Sequence, residues 1–323
     1  MMAETHSRFG GLWTDRVDAN TQLERRLVSG RVSSDLVPAL SRWITDGYVI
    51  LPGAAEPALC DRFAGELAQA WRDGHPEQLV VDSTTGVARR LGAGDETRLA
   101  RAVDAHVHFA SARELLRSPR VTEFVRAVFD ADPLYFQSLV YETGSEQGLH
   151  QDTAFVVVDR PLELVGVWVA LEDVRPGAGE LRYAPRSHRL ADHCFAPGRR
   201  HFDSGVDGHD AHVSYYPSIA GRCDEAGLAV DHFRPKKGDV LIWSADLVHG
   251  GAPITDPTLT RRSLVAHACP LDTPDQPAAR PHFFSFLPGN RTTKALPDSG
   301  ARYASQYHVL SPDDGPAADL SSR

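Results

Sequence analysis

His150 and Asp152 stand one residue apart in the run LHQDTAF. On an extended segment, positions i and i+2 project to the same side, so one imidazole and one carboxylate can reach a single ion. That pair is two thirds of the two-histidine, one-carboxylate set that grips non-haem Fe(II) on one face and leaves the other positions open for oxygen chemistry. The third ligand has to come from a distant segment, and GDVLIWSADLVHGGAP offers one. Gly238-Asp239 marks a turn, VLIWS reads as a buried strand, and His249 follows in a loop whose Gly250 and Gly251 allow close backbone approach. Singly, each signal is weak: an H-x-D arises by chance in many chains, and a loop histidine is as often a cap.

Twelve residues beyond His249, Arg261 and Arg262 open another strand. A dicarboxylic co-substrate needs a fixed cation at its far end, and Arg supplies a planar two-pronged donor that Lys does not. The alternative is a solvated surface pair. Alternation puts Arg261 on one face with Ser263, Val265 and His267, and Arg262 on the other with Leu264 and Ala266. Parity alone does not say which face looks inward.

These residues need a scaffold. Residues 1–33 are polar and Arg-rich and read as an N-terminal arm. A helix is expected over 34–46 with Pro38 in its first turn, then a strand in YVILPG. A second helix is expected over 56–73, where Leu59, Phe63, Leu67 and Trp71 form one stripe, and a third over about 111–130, broken near Pro119. Thereafter LYFQSLVYET, FVVVD, ELVGVWVALEDV, GELRYAP, GDVLIWS and RRSLVAHAC all read as strands. Helices first and strands later, without βαβ alternation, predict a mainly β protein with flanking helices. The core would be a double-stranded β-helix, a cupin-like jelly roll. The segment 190–235, rich in His, Asp, Tyr and Gly, interrupts the strands as an insert or lid. One domain over 34–290 and an irregular tail over 291–323 complete the expected organisation, with Phe283, Phe284, Phe286 and Leu287 packing on the barrel.

The 323 residues carry a net charge of -9, which disfavours nucleic acid or an anionic membrane as partner. The four cysteines, Cys60, Cys194, Cys223 and Cys269, are widely spaced and read as free thiols of a reducing compartment. The first residues lack the apolar segment of a signal peptide, and no run approaches membrane-spanning length, so a soluble cytoplasmic protein is expected. Nothing in the composition fixes an oligomeric state.

In order and spacing, ITDGYVILPGA, YFQSLVYETG, LHQDTAF, VGVWVALEDVRPGAGELRYAPRSHR, GDVLIWSADLVHGGAP and RRSLVAH resemble the phytanoyl-CoA dioxygenase family of 2-oxoglutarate oxygenases over about residues 35–270. The resemblance implies iron ligation by His150, Asp152 and His249, with Fe(II), 2-oxoglutarate and O₂ as the reacting set. It implies that Arg261 binds the distal carboxylate of 2-oxoglutarate; the gap from His249 is one residue longer than usual, which leaves Arg262 as the alternative. Trp168 and Gln137 fall where the family lines the cofactor pocket. Gly251 stands where a hydroxyl residue is usual, so one cofactor hydrogen bond is missing or comes from elsewhere. Asp152 fills the position that related halogenases leave without a carboxylate, so oxygenation rather than halogenation is expected.

Other histidines are weaker candidates. His106 and His108 share i, i+2 spacing but lack a matching carboxylate, and His188 reads as part of a structural turn. His209, His212, Tyr215 and Tyr216 belong to the lid, and His267 shares the face of Arg261. A binding protein on the same scaffold, or a cupin-type metalloenzyme without 2-oxoglutarate, are the rival readings. The polar insert and acidic charge point to a polar small-molecule substrate, such as a sugar-containing or amino-sugar natural product, and the family resemblance implies a place for such a reaction in antibiotic biosynthesis. An amino acid or acyl-CoA is the alternative, and the outcome would be hydroxylation or oxidative ring closure.

Overall fold

The strand Val165–Ala170 is buried on both faces, yet its residues go to two different cores. Val165, Val167 and Val169 join the large cluster packed by helices, whereas Trp168 and Ala170 join a second cluster on the opposite side. Period-two alternation therefore decides which side chains meet the helices and which meet the cleft.

The computed structural model describes residues 5–82, 88–95 and 100–271, and the backbone of 281–282. In chain order the elements are α1 (Ala19–Val28), α2 (Val37–Asp46), β1 (Tyr48–Leu51), α3 (Pro57–Asp73), β2 (Leu79–Asp82), β3 (Ala88–Arg90), β4 (Ala100–Val103), α4 (Ala105–His108), α5 (Ala110–Leu116), α6 (Pro119–Phe129) and β5 (Pro133–Tyr141). They continue as β6 (Val157–Val158), β7 (Val165–Ala170), β8 (Leu181–Tyr183), α7 (His209–Glu225), β9 (Asp231–Phe233), β10 (Val240–Ser244), β11 (His249–Gly251), β12 (Ser263–Pro270) and β13 (Pro281–His282). The large sheet has the order β1-β10-β7-β12-β5-β4-β2-β3, and a small sheet β11-β8-β9 faces it. The pairings between named strands are antiparallel. This is the expected double-stranded β-helix with flanking helices.

Helices cover the outer face of the large sheet. In α3, Phe63, Leu67 and Trp71 are buried as expected, joined by Cys60 and Ala70. Helix α2 carries its proline in the first turn, where no N–H is needed. It stops at Gly47, whose φ of 81° is left-handed and whose N–H caps Trp43 O. Trp43 of this helix is buried edge-on to Phe124, and truncating such a residue to Ala costs about 3–5 kcal/mol. The helical stretch after 110 is broken between Leu116 and Pro119, because the residue before a proline is pushed out of the helical region.

Several expectations need correction. Residues 12–32 are docked rather than a loose arm: Leu12, Trp13, Leu23 and Val32 lie in the main core, and the Trp13 indole donates to Ala127 O at 2.9 Å. Three strands, β2 to β4, stand between the early helices where none was expected. FVVVD shrinks to the two-residue β6. His249 lies in the short strand β11 rather than a loop, and the ladder of β12 starts at Ser263, two residues after Arg261. The insert contains the 17-residue helix α7, with Pro217 inside it. Phe283, Phe284, Phe286, Leu287 and the tail lie outside the described residues. No described helix is long and apolar enough to cross a membrane.

Candidate metal centre

The three candidate ligands meet at the open edge between the two sheets. His150 and His249 form an isolated antiparallel bridge, with His150 N–H donating to His249 O at 2.8 Å and His249 N–H to His150 O at 2.9 Å. That pairing brings the two imidazoles together, with ring centroids 4.4 Å apart. Gln151 is extended (φ -104°, ψ 140°), so Asp152 follows on the same side before the chain turns into a short 3-10 turn. One ligand atom from each of the three residues lies within 4.8 Å of the others, and all three residues are buried. Added Cβ atoms at Gly250 and Gly251 would lie 2.7 Å from Gln147 O and 2.6 Å from Glu146 N, which explains both glycines.

Backbone carbonyls fix the tautomers. His150 Nδ1 donates to Gly148 O at 2.8 Å and His249 Nδ1 donates to Leu247 O at 2.9 Å. Carbonyl oxygens only accept, so each Nδ1 carries the proton and each Nε2 presents a lone pair. Burial, together with the neighbouring His249, drives His150 down to about 3, and burial also lowers His249. Both imidazoles are neutral at physiological pH, the form that binds a metal. Burial opposes the charge on Asp152, but His267, His249 and His150 outweigh it and hold the carboxyl below its ordinary range. Two neutral imidazoles and one carboxylate, each oriented by a partner, fit Fe(II).

The cleft beside these ligands holds about 450 Å³, its mouth included, and is lined by Trp168, Leu181, Trp243, Arg261, Val265 and His267 among others. The inward face of β12 is thus the one shared by Arg261, Val265 and His267; Leu264 and Ala266 face the helices. Arg261 is 2% exposed and its Nε has no hydrogen-bond partner. It forms no ion pair among the described residues and lies 5.6 Å from the rings of both Tyr141 and Trp168. Burial weakens its hold on the proton, to about 10, so the cation persists at neutral pH. A buried cation without an ion-pair partner among the described residues, in the same cleft as the candidate metal ligands, fits the far carboxylate of a dicarboxylic acid. Arg262 points the other way: it is half-exposed and paired to Glu142 Oε2 at 2.8 Å. Trp168 lines the cleft. Gln137 is buried on β5, opposite His267, but is not among the residues lining the cleft.

Behind the ligands a second set of polar groups was not foreseen. Asp246, buried, accepts from Thr153 Oγ1 and from Arg200 Nη1, both at 2.6 Å. Gln151 Nε2 donates to Asp246 O at 2.9 Å, and Gln151 N–H donates to the Tyr215 hydroxyl of α7 at 3.0 Å. Tyr216 packs over Gly148 and stacks on Phe155. The Tyr215, Ile219, Cys223 spacing was the available sign of α7: i, i+4, i+8. Trp243, which the sequence marks only as a strand residue, donates from its indole to Asp152 Oδ2 at 2.7 Å. His106 is structural, its Nδ1 lying 2.7 Å from Ser138 Oγ in the core. His212 sits among Phe155, Phe202 and Tyr216.

Residues 43–263, about two thirds of the chain, match the sequence profile of phytanoyl-CoA dioxygenase (PhyH). Over 87 residues the chain is 31% identical to phytanoyl-CoA dioxygenase domain-containing protein 1 of Mus musculus, a stretch covering 26% of this chain and 30% of that protein. The Rattus norvegicus protein matches equally, so the match spans less than a third of these relatives' length. Among solved structures, the non-heme alpha ketoglutarate dependent epimerase SnoN from nogalamycin biosynthesis has a TM-score of 0.56 at 20% identity, covering 84% of this chain and 98% of that one. The carbocyclase SnoK from the same biosynthesis gives 0.52 at 18%, covering 76% and 86%. EctD from S. alaskensis with 2-oxoglutarate and 5-hydroxyectoine gives 0.51 at 17%, covering 76% and 81%. At such identities the structural likeness is one of fold, and it agrees with the profile match: the chain belongs to the phytanoyl-CoA dioxygenase family of Fe(II)- and 2-oxoglutarate-dependent oxygenases.

Proposed function

We propose that His150, Asp152 and His249 hold Fe(II), that Arg261 takes the far carboxylate of 2-oxoglutarate, and that the chain oxidises a polar small molecule by hydroxylation or oxidative ring closure. The observation that carries this reading is Arg261, a fully buried cation without an ion-pair partner among the described residues, in the cleft that also holds the three ligand atoms. Bound together, the iron and 2-oxoglutarate supply an O₂-derived oxidant able to take hydrogen from a substrate carbon, with succinate and CO₂ as co-products. The chain's own residues do the rest. Gly148 O and Leu247 O aim the two Nε2 lone pairs, Asp152 supplies the anionic ligand, and Trp168 and Val265 keep the cleft dry. Gln137 is the weaker candidate for cofactor contact.

Ser145 and Gln147 at the cleft, with Tyr216 6.4 Å from the His150 ring and His212 packed on Tyr216, favour a hydroxylated or amino-bearing substrate over a fatty acyl chain. SnoN and SnoK are from nogalamycin biosynthesis, and a role for this chain in antibiotic biosynthesis in the cytoplasm is part of the proposal. The test is anaerobic addition of Fe(II), then 2-oxoglutarate, to the purified apoprotein. A weak visible band at about 500–530 nm is expected for a bidentate 2-oxo acid on an open ferrous site. Bound iron without that band would remove the 2-oxoglutarate assignment. Aminoglycosides, amino acids and acyl-CoAs are then compared for substrate-dependent succinate release, and a response to acyl-CoA alone would remove the polar-substrate assignment.

A further inference from the structure

Three adjacent strands share one register row. Gly166 on β7 pairs with Trp243 on β10 and with His267 on β12. All three positions point to the cleft side, because their neighbours Val165, Val167, Ile242 and Ala266 face the helices. In the middle of this row there is no side chain, and the space is taken by the Trp243 indole. A Cβ at residue 166 would lie 2.2 Å from Trp243 Cε2 and 2.5 Å from its Nε1. Lying over Gly166, the indole reaches Asp152 Oδ2 at 2.7 Å and stacks obliquely on His249, with centroids 4.6 Å apart. From the other side of the row, His267 Nε2 stands 3.4 Å from the same Oδ2, a distance of electrostatic contact. The other oxygen, Oδ1, is the one near His249 Nε2, at 3.6 Å.

We infer that Gly166, Trp243 and His267 form a positioning device that commits Asp152 Oδ2 to the protein and leaves Oδ1 alone for the metal. The inference rests on the iron-centre reading above. A carboxylate held in this way binds through one oxygen. If it swung to two, it would occupy a position needed for a chelating co-substrate or for O₂. Trp243 is the principal element, since its N–H makes a short charge-assisted hydrogen bond in a buried setting. Gly166 acts only through Trp243, and His267 adds a weaker field on the same oxygen. None of the three needs to touch substrate.

The test uses Co(II), whose visible absorption reports coordination number, titrated into the full chain and into Trp243→Phe, Gly166→Ala and His267→Leu. Trp243→Phe keeps an aromatic ring and loses the donor; Co(II) affinity should fall by roughly 10–100-fold, with an altered visible spectrum. Gly166→Ala should reproduce that loss although it removes no polar group, and His267→Leu should give a smaller one. Wild-type affinity and spectrum in folded Trp243→Phe and Gly166→Ala would overturn the inference while leaving the metal centre intact. Failure of the wild-type chain to bind Co(II) would overturn both. Should the variants not fold, the indole N–H resonances of the wild-type chain decide. One of them must shift on adding diamagnetic Zn(II), and no shift in any of the five tryptophans overturns the device.

Discussion

Arg261→Met separates affinity from stability in an unusual direction. Arg261 is 2% exposed, lacks an ion-pair partner among the described residues, and its guanidinium carbon lies 5.6 Å from the ring centroids of Tyr141 and Trp168. A desolvated contact between a guanidinium and a carboxylate typically costs about 2–5 kcal/mol when one partner is removed. Taking about 3 kcal/mol, the affinity of the metal-loaded protein for 2-oxoglutarate should fall on the order of 100-fold. Without ligand the sign reverses. Exchanging a buried charge without an ion-pair partner among the described residues for an apolar chain of similar length should be neutral or stabilising by about 1–4 kcal/mol. Thermal unfolding of the Co(II)-loaded protein reads both effects. At 2-oxoglutarate about 100 times its Kd, the wild-type chain gains about 2.7 kcal/mol, a rise of about 4 °C in Tm for a chain of this length. Arg261→Met should begin at an equal or higher Tm and show almost no rise. Arg262→Ala is the control: that side chain is 46% exposed and paired at the surface, so its loss should cost below about 1 kcal/mol and leave 2-oxoglutarate affinity nearly unchanged. The reasoning fails if Arg261→Met binds 2-oxoglutarate within a few-fold of wild type, if it is several kcal/mol less stable without ligand, or if Arg262→Ala shows the loss instead.

Asp246→Ala strips buried Arg200 of its 2.6 Å partner and leaves Asp192 at 3.4 Å, so urea unfolding should show a loss of about 3–5 kcal/mol. The Asp15 carboxyl is pushed up to about 6 by burial, against the Leu12 N–H and Arg189. The folded chain therefore binds this proton more tightly than the unfolded one, and the resulting stability is full below about pH 4 and lost as pH rises through 6. Asp15→Asn should consequently raise Tm over wild type at about pH 7.5 and lose that advantage at about pH 4; an equal gain at both would refute the titration.

The parts legible in the sequence were those fixed by local rules. β5, β7, β10 and β12 are apolar runs bounded by breakers, and α2 and α3 carry helical stripes with prolines in permitted places. The pairing of His150 with Asp152 was legible because i, i+2 spacing is a local property, and His249, a weak signal on its own, was joined to them only through the family resemblance; which of Arg261 and Arg262 faces the cleft needed the sheet, which shows the inward face of β12. β2 to β4 escaped notice because their short segments mix Val with Arg89, Arg90 and Arg101. Helix α7 was hidden by Pro217 and by a stripe of only three buried residues. The Asp246 and Trp243 contacts join residues 46 to 93 positions apart in the chain, and no local pattern reports them.

The strand that carries the cleft face next to Arg261 has a place in the sheet unlike its place in the chain. β12 comes after the other strands of the large sheet, yet it lies between β7 and β5, near the middle. Until it inserts, β1-β10-β7 and β5-β4-β2-β3 are separate ribbons, each with an unsatisfied edge along its inner side. Insertion satisfies both edges at once, through pairings with β7 and β5 that lie far away in sequence, the kind of contact that slows folding. Arg261 and His267 arrive with that same event. On the assignment proposed above, a chain without β12 in place would bring His150 and Asp152 together but lack the Arg261 seat for the oxo acid, which ties oxygen chemistry to a finished barrel.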